Sequence, residues 1–173
     1  MTDVQPAPVT LESVDWFDPR AVAMRDLMDD EMHRRYANRM PGGDPETQAR
    51  VDAALAVDPA DIVAVVLALD VDGAPLGHAA LRMLAGEWEV KRVIVADAAR
   101  GRGVATAIMA EVQRLAAQGG ARRLILQTGD RQPEAVRLYE KIGYTPIPIY
   151  EPYVEAIPFS LCFEKVVAPP VGA

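Results

Sequence analysis

Two arginines and two glycines alternate in the segment Arg100–Gly103, and an alanine-rich run follows directly. The first backbone N–H groups of a helix have no partner inside it, and the helix macrodipole gives that end a partial positive charge. Glycines let an anion approach the backbone closely, and Arg100 and Arg102 can add charge-assisted hydrogen bonds. The segment therefore predicts a site for a phosphate or pyrophosphate at the start of a helix.

Two common phosphate-binding motifs do not match this segment. A P-loop needs Gly-Lys-Ser/Thr, whereas Gly103 is followed by Val104, Ala105 and Thr106. A dinucleotide fingerprint needs a third small residue at position 106, and an acidic residue about 20 positions later, in a βαβ unit. From the local residues alone, a turn that only caps a helix fits as well as a ligand site.

The composition describes a globular domain of ordinary polarity. Of the 173 residues, 50% are hydrophobic and 25% are charged, which favours one domain with a sizeable core. No apolar run approaches the ~18 residues that a membrane span needs, and the net charge of −7 argues against nucleic-acid partners. Residues 1–10 lack the pattern of a signal peptide, and the single Cys162 cannot form an internal disulfide. We therefore expect a cytoplasmic protein without membrane or nucleic-acid partners.

The elements that must position the Arg-Gly segment follow from hydrophobic periodicity and from Gly, Pro and Asp signals. We expect an N-terminal tail over 1–8, a single domain over 9–167 and a C-terminal tail over 168–173. The order predicts a mixed sheet with helices on its faces. The predicted strands are 9–14, 62–69, 76–84, 87–95, 123–128 and one or two within 144–167, including 159–166; the predicted helices are 18–38, 44–56, 103–118 and 134–142.

Two segments resemble conserved parts of a known family. Residues 100–105 (RGRGVA) are similar to the Arg/Gln-x-x-Gly-x-Gly/Ala signature of the GNAT superfamily of acyl-CoA-dependent N-acetyltransferases. Residues 135–144 (AVRLYEKIGY) resemble its Ala-x-x-Leu-Tyr-x-x-x-Gly-Phe/Tyr segment, and residues 89–95 resemble the strand before the signature. The resemblance implies the GNAT fold, an α/β (α+β) class with a central mixed, mostly antiparallel sheet of six to seven strands flanked by about four helices.

The resemblance also implies a co-substrate, acetyl-CoA, and no metal. In this family the Gly-rich turn holds the pyrophosphate of coenzyme A, and the pantetheine arm pairs along the preceding strand, in a gap beside strand 123–128. Gln132 stands where the family often has Asn. Its amide could make the same type of hydrogen bond to pantetheine, but from a side chain that is one methylene longer. The implied cofactor-binding residues are Val93, Ile94, Val95, Arg100, Gly101, Arg102, Gly103, Val104, Ala105 and Gln132.

Tyr139 and Glu89 are the candidate catalytic residues. An alkylamine with a pKa near ~10.4 must lose a proton before it attacks, and a thiolate leaves more easily when it is protonated. By resemblance Tyr139 is the general acid near the sulfur, and its ring could also pack beside Leu138 and Ile142. Glu89 matches the position where some members keep a base that often acts through water. Three alternatives to this role remain open. Glu89 could be a solvated carboxylate at a strand end, Glu87 could be the base instead, or a chain of waters could carry the proton.

Other reactive residue types have simpler structural interpretations. His33 and His78 have no partner at ligand spacing, so we expect no metal site. Cys162 lies in an apolar run and is predicted to be a buried core thiol. Residues 150–153 could border an acceptor pocket or pack in the core, and the charged stretch 33–39 could be a solvated helix face or contact an acidic group.

These observations together predict an N-acetyltransferase that moves an acetyl group from acetyl-CoA to an amine by direct attack in a ternary complex. The alternative is a non-catalytic acyl-CoA-binding or regulatory module. The acceptor would be a small-molecule or peptide amine, whose identity the sequence leaves open. A homodimer, common in the family, and acyl groups other than acetyl also stay open.

Overall fold

One mixed sheet of seven strands forms the centre of the protein. The computed structural model describes residues 8–39 and 43–167, so the expected tails lie outside this range except for Pro8. The strands are β1 Thr10–Val14, β2 Ile62–Leu69, β3 Pro75–Leu84, β4 Glu87–Val95, β5 Arg123–Gly129, β6 Thr145–Ile147 and β7 Ser160–Val166. The helices are α1 Pro19–Tyr36, α2 Pro45–Leu55, α3 Val104–Gln118, α4 Pro133–Lys141 and α5 Tyr153–Ala156.

The sheet order is β1-β2-β3-β4-β5-β7-β6, and β4 with β5 is its parallel pair. The other described strand pairs are antiparallel, and short turns join β2 to β3 and β3 to β4. The connection from β4 to β5 passes through α3, which allows these two strands to run parallel. This arrangement confirms the expected mixed, mostly antiparallel sheet.

Asp-Pro pairs start the first two helices, as the sequence predicted. The side chain of Asp18 accepts a hydrogen bond from the Arg20 backbone N–H at 2.9 Å, and Asp44 accepts one from the Glu46 N–H at 3.2 Å. A proline follows each cap. Proline is tolerated at the first helical position because a backbone N–H there would have no acceptor within the helix. Helix α1 ends at Tyr36, two residues before the predicted end.

Helices cover both faces of the sheet. On one face α3 and α4 pack over a large apolar cluster that includes Ile108, Val90 and Leu126. On the other face α1 packs on β3 and β4, in an apolar cluster that also contains Val65, Leu67 and Leu69 of β2. On the same face α2 packs with α5 around Tyr153. This double coverage explains why the apolar run in β2 is buried from residue 65 to residue 69, as its sequence predicted.

The segment between β6 and β7 contains an element that the sequence did not predict. Tyr153–Ala156 forms a four-residue helix, and Tyr153 is fully buried against α2. Four residues are too few to show a helical periodicity in the sequence. The flanking prolines, Pro152 and Pro158, also suggested an irregular segment.

Candidate active site

A bulge in β4 separates that strand from β5. Arg92 has a positive φ of 57°, and the register of β4 against β3 shifts between His78 and Ala80. The neutral ring of His78 supports this backbone, because its Nδ1 lies 2.7 Å from the Arg92 carbonyl oxygen and burial lowers its pKa to about 4. The parallel pairing of β4 with β5 ends at Val90↔Leu126, although both strands continue. The predicted gap beside β5 is therefore present, and the bulge accounts for it.

A cavity of about 510 Å³ occupies this gap. Residues 90–93 of β4 and 127–129 of β5 line it, together with side chains from α1, α2 and the segment after α5. Of the predicted site residues, Val93, Gln132 and Tyr139 line the cavity. Its volume lies in the range of ligand-binding pockets.

The Gly-rich turn at the start of α3 has the geometry of an anion site. Gly101 and Gly103 both have φ of 75°, a left-handed conformation that favours glycine. A side chain built at either position would meet nothing within 4 Å, so the turn faces open space. Gly103 precedes the helix and supplies no side chain to cap its first N–H groups. No described side chain therefore caps these donors, and the phosphate site at this turn stays a prediction.

The two arginines of the turn differ in their partners. Arg100 contacts Glu31 Oε2 at 2.6 Å and Asp97 Oδ1 at 2.8 Å, and its Nε donates to the Val95 carbonyl oxygen at 3.2 Å. Among the residues that the structure describes, Arg102 forms no side-chain ion pair. Arg102 can therefore meet an anion directly, whereas Arg100 would have to share its guanidinium with Glu31.

Glu31→Gln is expected to tighten coenzyme A binding about 2- to 5-fold. The substitution removes the carboxylate that competes for Arg100, and a partly exposed ion pair of this kind contributes about 0.2–1 kcal/mol. Calorimetric titration with coenzyme A measures the change. Glu46→Gln is the matched control, because it breaks a pair with Arg50 on α2. Unchanged or weaker binding in Glu31→Gln would show that Glu31 does not compete for the ligand.

Tyr139 packs in the apolar core and also lines the cavity. Its side chain is 5% exposed, and its ring packs against Tyr144 and Phe163 with centroids 5.8 and 6.2 Å away. Its hydroxyl forms no side-chain hydrogen bond within the described part of the chain. Burial raises the pKa of this hydroxyl well above its usual range, so it holds its proton at neutral pH. A protonated, unengaged phenol at the cavity is suited to donate that proton.

Glu89 lies beneath the cavity, in a buried polar network. It is 0% exposed, and it is absent from the residues that line the cavity. Its Oε1 accepts from Arg82 Nε at 2.7 Å, and its Oε2 accepts from the hydroxyls of Tyr150 at 2.6 Å and Tyr153 at 3.0 Å. The alternative of a solvated strand-end carboxylate is wrong for Glu89. Any action of this carboxylate on a substrate would have to pass through another group.

Glu87, the second candidate carboxylate, belongs to a different surface. It contacts Arg123 at 2.7 Å and lines a separate cleft of about 450 Å³. Arg123 hydrogen-bonds Glu87 and lowers the pKa of its carboxyl. The two candidate carboxylates therefore do not share one cavity.

Lys91 is a cavity residue that the sequence reading did not single out. It lies two positions after Glu89, is 6% exposed and donates from Nζ to the Tyr153 hydroxyl at 2.8 Å. Burial lowers the pKa of this amine to about 8. Its position in the strand before the Arg-Gly turn, on the same face as Glu89, was the available signal.

The remaining predicted residues have mixed placements. Ile94 packs against the α1 side of the sheet, so only its backbone can face the gap, while the Val95 carbonyl already accepts from Arg100. Cys162 is a buried free thiol, as predicted. In the charged stretch 33–39, Arg35 pairs with Glu31 and Glu134, while His33, Tyr36 and Arg39 line the cavity.

Residues 8–39 and 43–167 contain neither a metal-ligand cluster nor a membrane-spanning helix. No group of three His, Cys, Asp or Glu side chains in these ranges comes together to hold a metal ion. The helices in the same ranges are too short or too polar to cross a lipid bilayer.

Comparison with known proteins finds one family repeatedly. The family model described as "Acetyltransferase (GNAT) family" matches residues 23–144. An uncharacterised N-acetyltransferase of Bacillus subtilis, YobR, is 36% identical over 62 residues, a match that spans 36% of this chain and 25% of that protein's length.

Similar solved structures agree with this family. A Klebsiella pneumoniae protein assigned to the acyl-CoA N-acyltransferases has a TM-score of 0.72 at 22% identity, over 92% of this chain and 98% of that one. The PaiA N-acetyltransferase of Thermoplasma acidophilum, solved in complex with coenzyme A, has a TM-score of 0.61 at 13% identity, over 91% and 99% of the two chains. These likenesses establish the fold.

Proposed function

Because the chain belongs to the acetyltransferase (GNAT) family, we propose that it transfers an acetyl group from acetyl-CoA to an amine by direct attack in a ternary complex. The observation that carries the proposal is the strand gap, whose cavity contains Tyr139. The uncapped glycine turn lies between the end of β4 and the start of α3. One elongated ligand with a pyrophosphate at one end and a thioester at the other would use both features.

The residues present fit coenzyme A. The open turn at Gly101 and Gly103 accepts the pyrophosphate, and Arg102 adds a charge-assisted hydrogen bond. The unpaired edge of β4 around Val93 offers backbone groups to the pantetheine amides, while Gln132 lines the same cavity. The thioester would then lie in the cavity, where the Tyr139 hydroxyl can protonate the departing thiolate.

Direct attack is favoured over a covalent acetyl-enzyme. Cys162 is 3% exposed, is absent from the cavity lining, and burial raises the pKa of its thiol, so it is a poor nucleophile. The acceptor amine would therefore attack the thioester itself. Apolar side chains from α1 and α2, namely Met28, Met32, Val51 and Leu55, line part of the cavity and favour an amine with an apolar portion.

The cellular compartment of the reaction is inferred from the cysteine content. A single cysteine, present as a free thiol, is typical of a reducing compartment, and we therefore place the reaction in the cytoplasm. Proton transfer by side chains suffices for acetyl transfer, so no metal is required by this mechanism.

Thiol release from acetyl-CoA, measured with a panel of amines, tests the proposal. We expect release that depends on both the protein and an amine, with the acetylated amine as product. Coenzyme A binding without release, at any amine and at pH 7 to 9, would instead identify a non-catalytic acyl-CoA-binding module. No binding of either acetyl-CoA or coenzyme A would overturn the cofactor assignment as well.

Arg102→Ala is expected to weaken coenzyme A binding roughly 10- to 100-fold. A hydrogen bond to a charged group contributes about 1.5–3 kcal/mol, and Arg102 has no competing ion pair among the described residues. Calorimetric titration measures the affinity. Arg114→Ala is the control, since Arg114 lies further along α3 and pairs with Glu111. Equal affinity in Arg102→Ala and Arg114→Ala would remove Arg102 from the pyrophosphate site.

A further inference from the structure

Lys91 links the cavity to the buried carboxylate of Glu89. Lys91 lines the cavity, and its Nζ donates to the Tyr153 hydroxyl at 2.8 Å. Tyr153 in turn donates to Glu89 Oε2 at 3.0 Å. Neither Tyr153 nor Glu89 is among the lining residues. Among the residues of this network, Lys91 is thus the one that a ligand in the cavity can touch.

Burial and the neighbouring arginines make protonation of Lys91 less favourable than that of an exposed lysine. Glu89 already forms an ion pair with Arg82, whose side chain is 5% exposed, so the pair carries no net charge. A protonated Lys91 would add an uncompensated buried cation beside Arg82 and Arg92. Burial, opposed by Glu89 and assisted by the two arginines, lowers the pKa of Lys91 to about 8. The charged and titratable groups that act on Lys91 are Glu89 and Arg92 on β4, Arg82 on β3 and Cys162 on β7, with the Tyr153 hydroxyl of α5 in direct contact.

The hydrogen-bond inventory fixes the direction of this link. The Tyr153 hydroxyl has one proton, which it gives to Glu89, and it accepts from both Arg82 Nη2 at 3.1 Å and Lys91 Nζ. Lys91 must therefore act as a donor towards Tyr153. A neutral amine that gives one N–H to Tyr153 keeps a lone pair that can accept a proton. When it takes up a proton, the new charge is held through Tyr153 by the carboxylate of Glu89.

We propose that Lys91 is the general base of the acetyl transfer and that Glu89 and Tyr153 are positioning residues behind it; this inference rests on the function proposed above. The acceptor ammonium gives a proton to neutral Lys91 Nζ, and the neutral amine nitrogen then forms a bond to the thioester carbonyl carbon and loses its second proton to solvent. The C–S bond breaks, and the thiolate takes the proton of Tyr139. Lys91 then returns its proton to solvent and Tyr139 regains one, so the net reaction gives an amide and a thiol.

The pH dependence of turnover tests the assignment. In the wild type, kcat should rise through a midpoint near pH 8, because only neutral Lys91 accepts a proton. Lys91→Met should lower kcat at pH 7 by about 10²-fold and lose this limb, with the defect shrinking at high pH where the acceptor is already neutral. Lys91→Arg keeps a donor to Tyr153 but stays protonated, so it should lose the same limb. Lys141→Met on the exposed end of α4 is the control.

Nuclear magnetic resonance gives a readout that does not require turnover. In protein labelled at the lysine ε-carbons, the Lys91 resonance should titrate near pH 8. Comparison with Lys91→Met assigns the resonance. A Lys91 resonance that shows no titration near pH 8 would overturn the proposal.

The outcomes separate the two levels of inference. Wild-type protein that binds acetyl-CoA but acetylates no amine contradicts the proposed function, and the base with it. Wild-type activity with an unchanged pH–rate profile in Lys91→Met and Lys91→Arg overturns the base alone. Incubation with acetyl-CoA and no acceptor, followed by peptide mass spectrometry, adds a last check: an acetyl group on Lys91 would identify it as a nucleophile instead of a base.

Discussion

Replacing Tyr139 by phenylalanine is expected to lower kcat about 10²- to 10⁴-fold, the usual contribution of a positioned general acid. The ring contacts with Tyr144 and Phe163 survive the substitution, so packing is retained. The hydroxyl that is lost has no side-chain partner among the described residues, so no buried group is left unsatisfied. Thermal stability and coenzyme A affinity should therefore stay close to those of the wild type.

Tyr144→Phe is the matched control for this prediction. The Tyr144 hydroxyl is buried without a hydrogen-bond partner within the described residues, so its removal should leave the free energy of unfolding equal or slightly higher. Its turnover should match that of the wild type. Thiol release at saturating acetyl-CoA and amine compares the two variants. Turnover of Tyr139→Phe within threefold of the wild type would make Tyr139 a packing residue only.

Local sequence signals predicted the architecture because they act within one element. The β-branched run of β2, the Asp-Pro starts of α1 and α2, and the glycines before α3 each constrain the backbone of their own segment. Strand and helix bounds therefore agree within about two residues, and the parallel step at β5 follows from the α3 crossover. The Arg-Gly turn was equally local, since two left-handed glycines at a helix start have a recognisable pattern.

The Glu89 network could not be predicted because it depends on the exact register of β3 against β4 and on two tyrosines 61 and 64 residues away in the chain. Arg82 meets Glu89 through the β3–β4 register, which pairs these two residues directly. Tyr153 reaches the same carboxylate from a four-residue helix that has no periodic signal. The bulge at Arg92 was equally hidden, because a non-glycine residue at positive φ leaves no mark in composition. The resemblance therefore singled out Glu89 but left open a solvated carboxylate, which its burial now excludes.

Glu89→Gln is expected to lower the free energy of unfolding by about 3–5 kcal/mol. The substitution leaves the buried Arg82 guanidinium without its carboxylate, and an uncompensated charge in a site only 5% exposed is costly. Urea unfolding followed by circular dichroism measures the change. Activity of this variant should be compared with that of the wild type only at a temperature where both are folded.

The matched control is Glu87→Gln on the same strand. Glu87 also faces an arginine at 2.7 Å, but Arg123 is 40% exposed and keeps Glu164 as a second partner. Screening by water should hold the loss in Glu87→Gln below about 1 kcal/mol. Adding Arg82→Met to Glu89→Gln removes the orphaned cation and should recover part of the lost stability. Equal losses in Glu87→Gln and Glu89→Gln, or no recovery in the double variant, would show that burial of the Arg82–Glu89 pair does not govern its energetics.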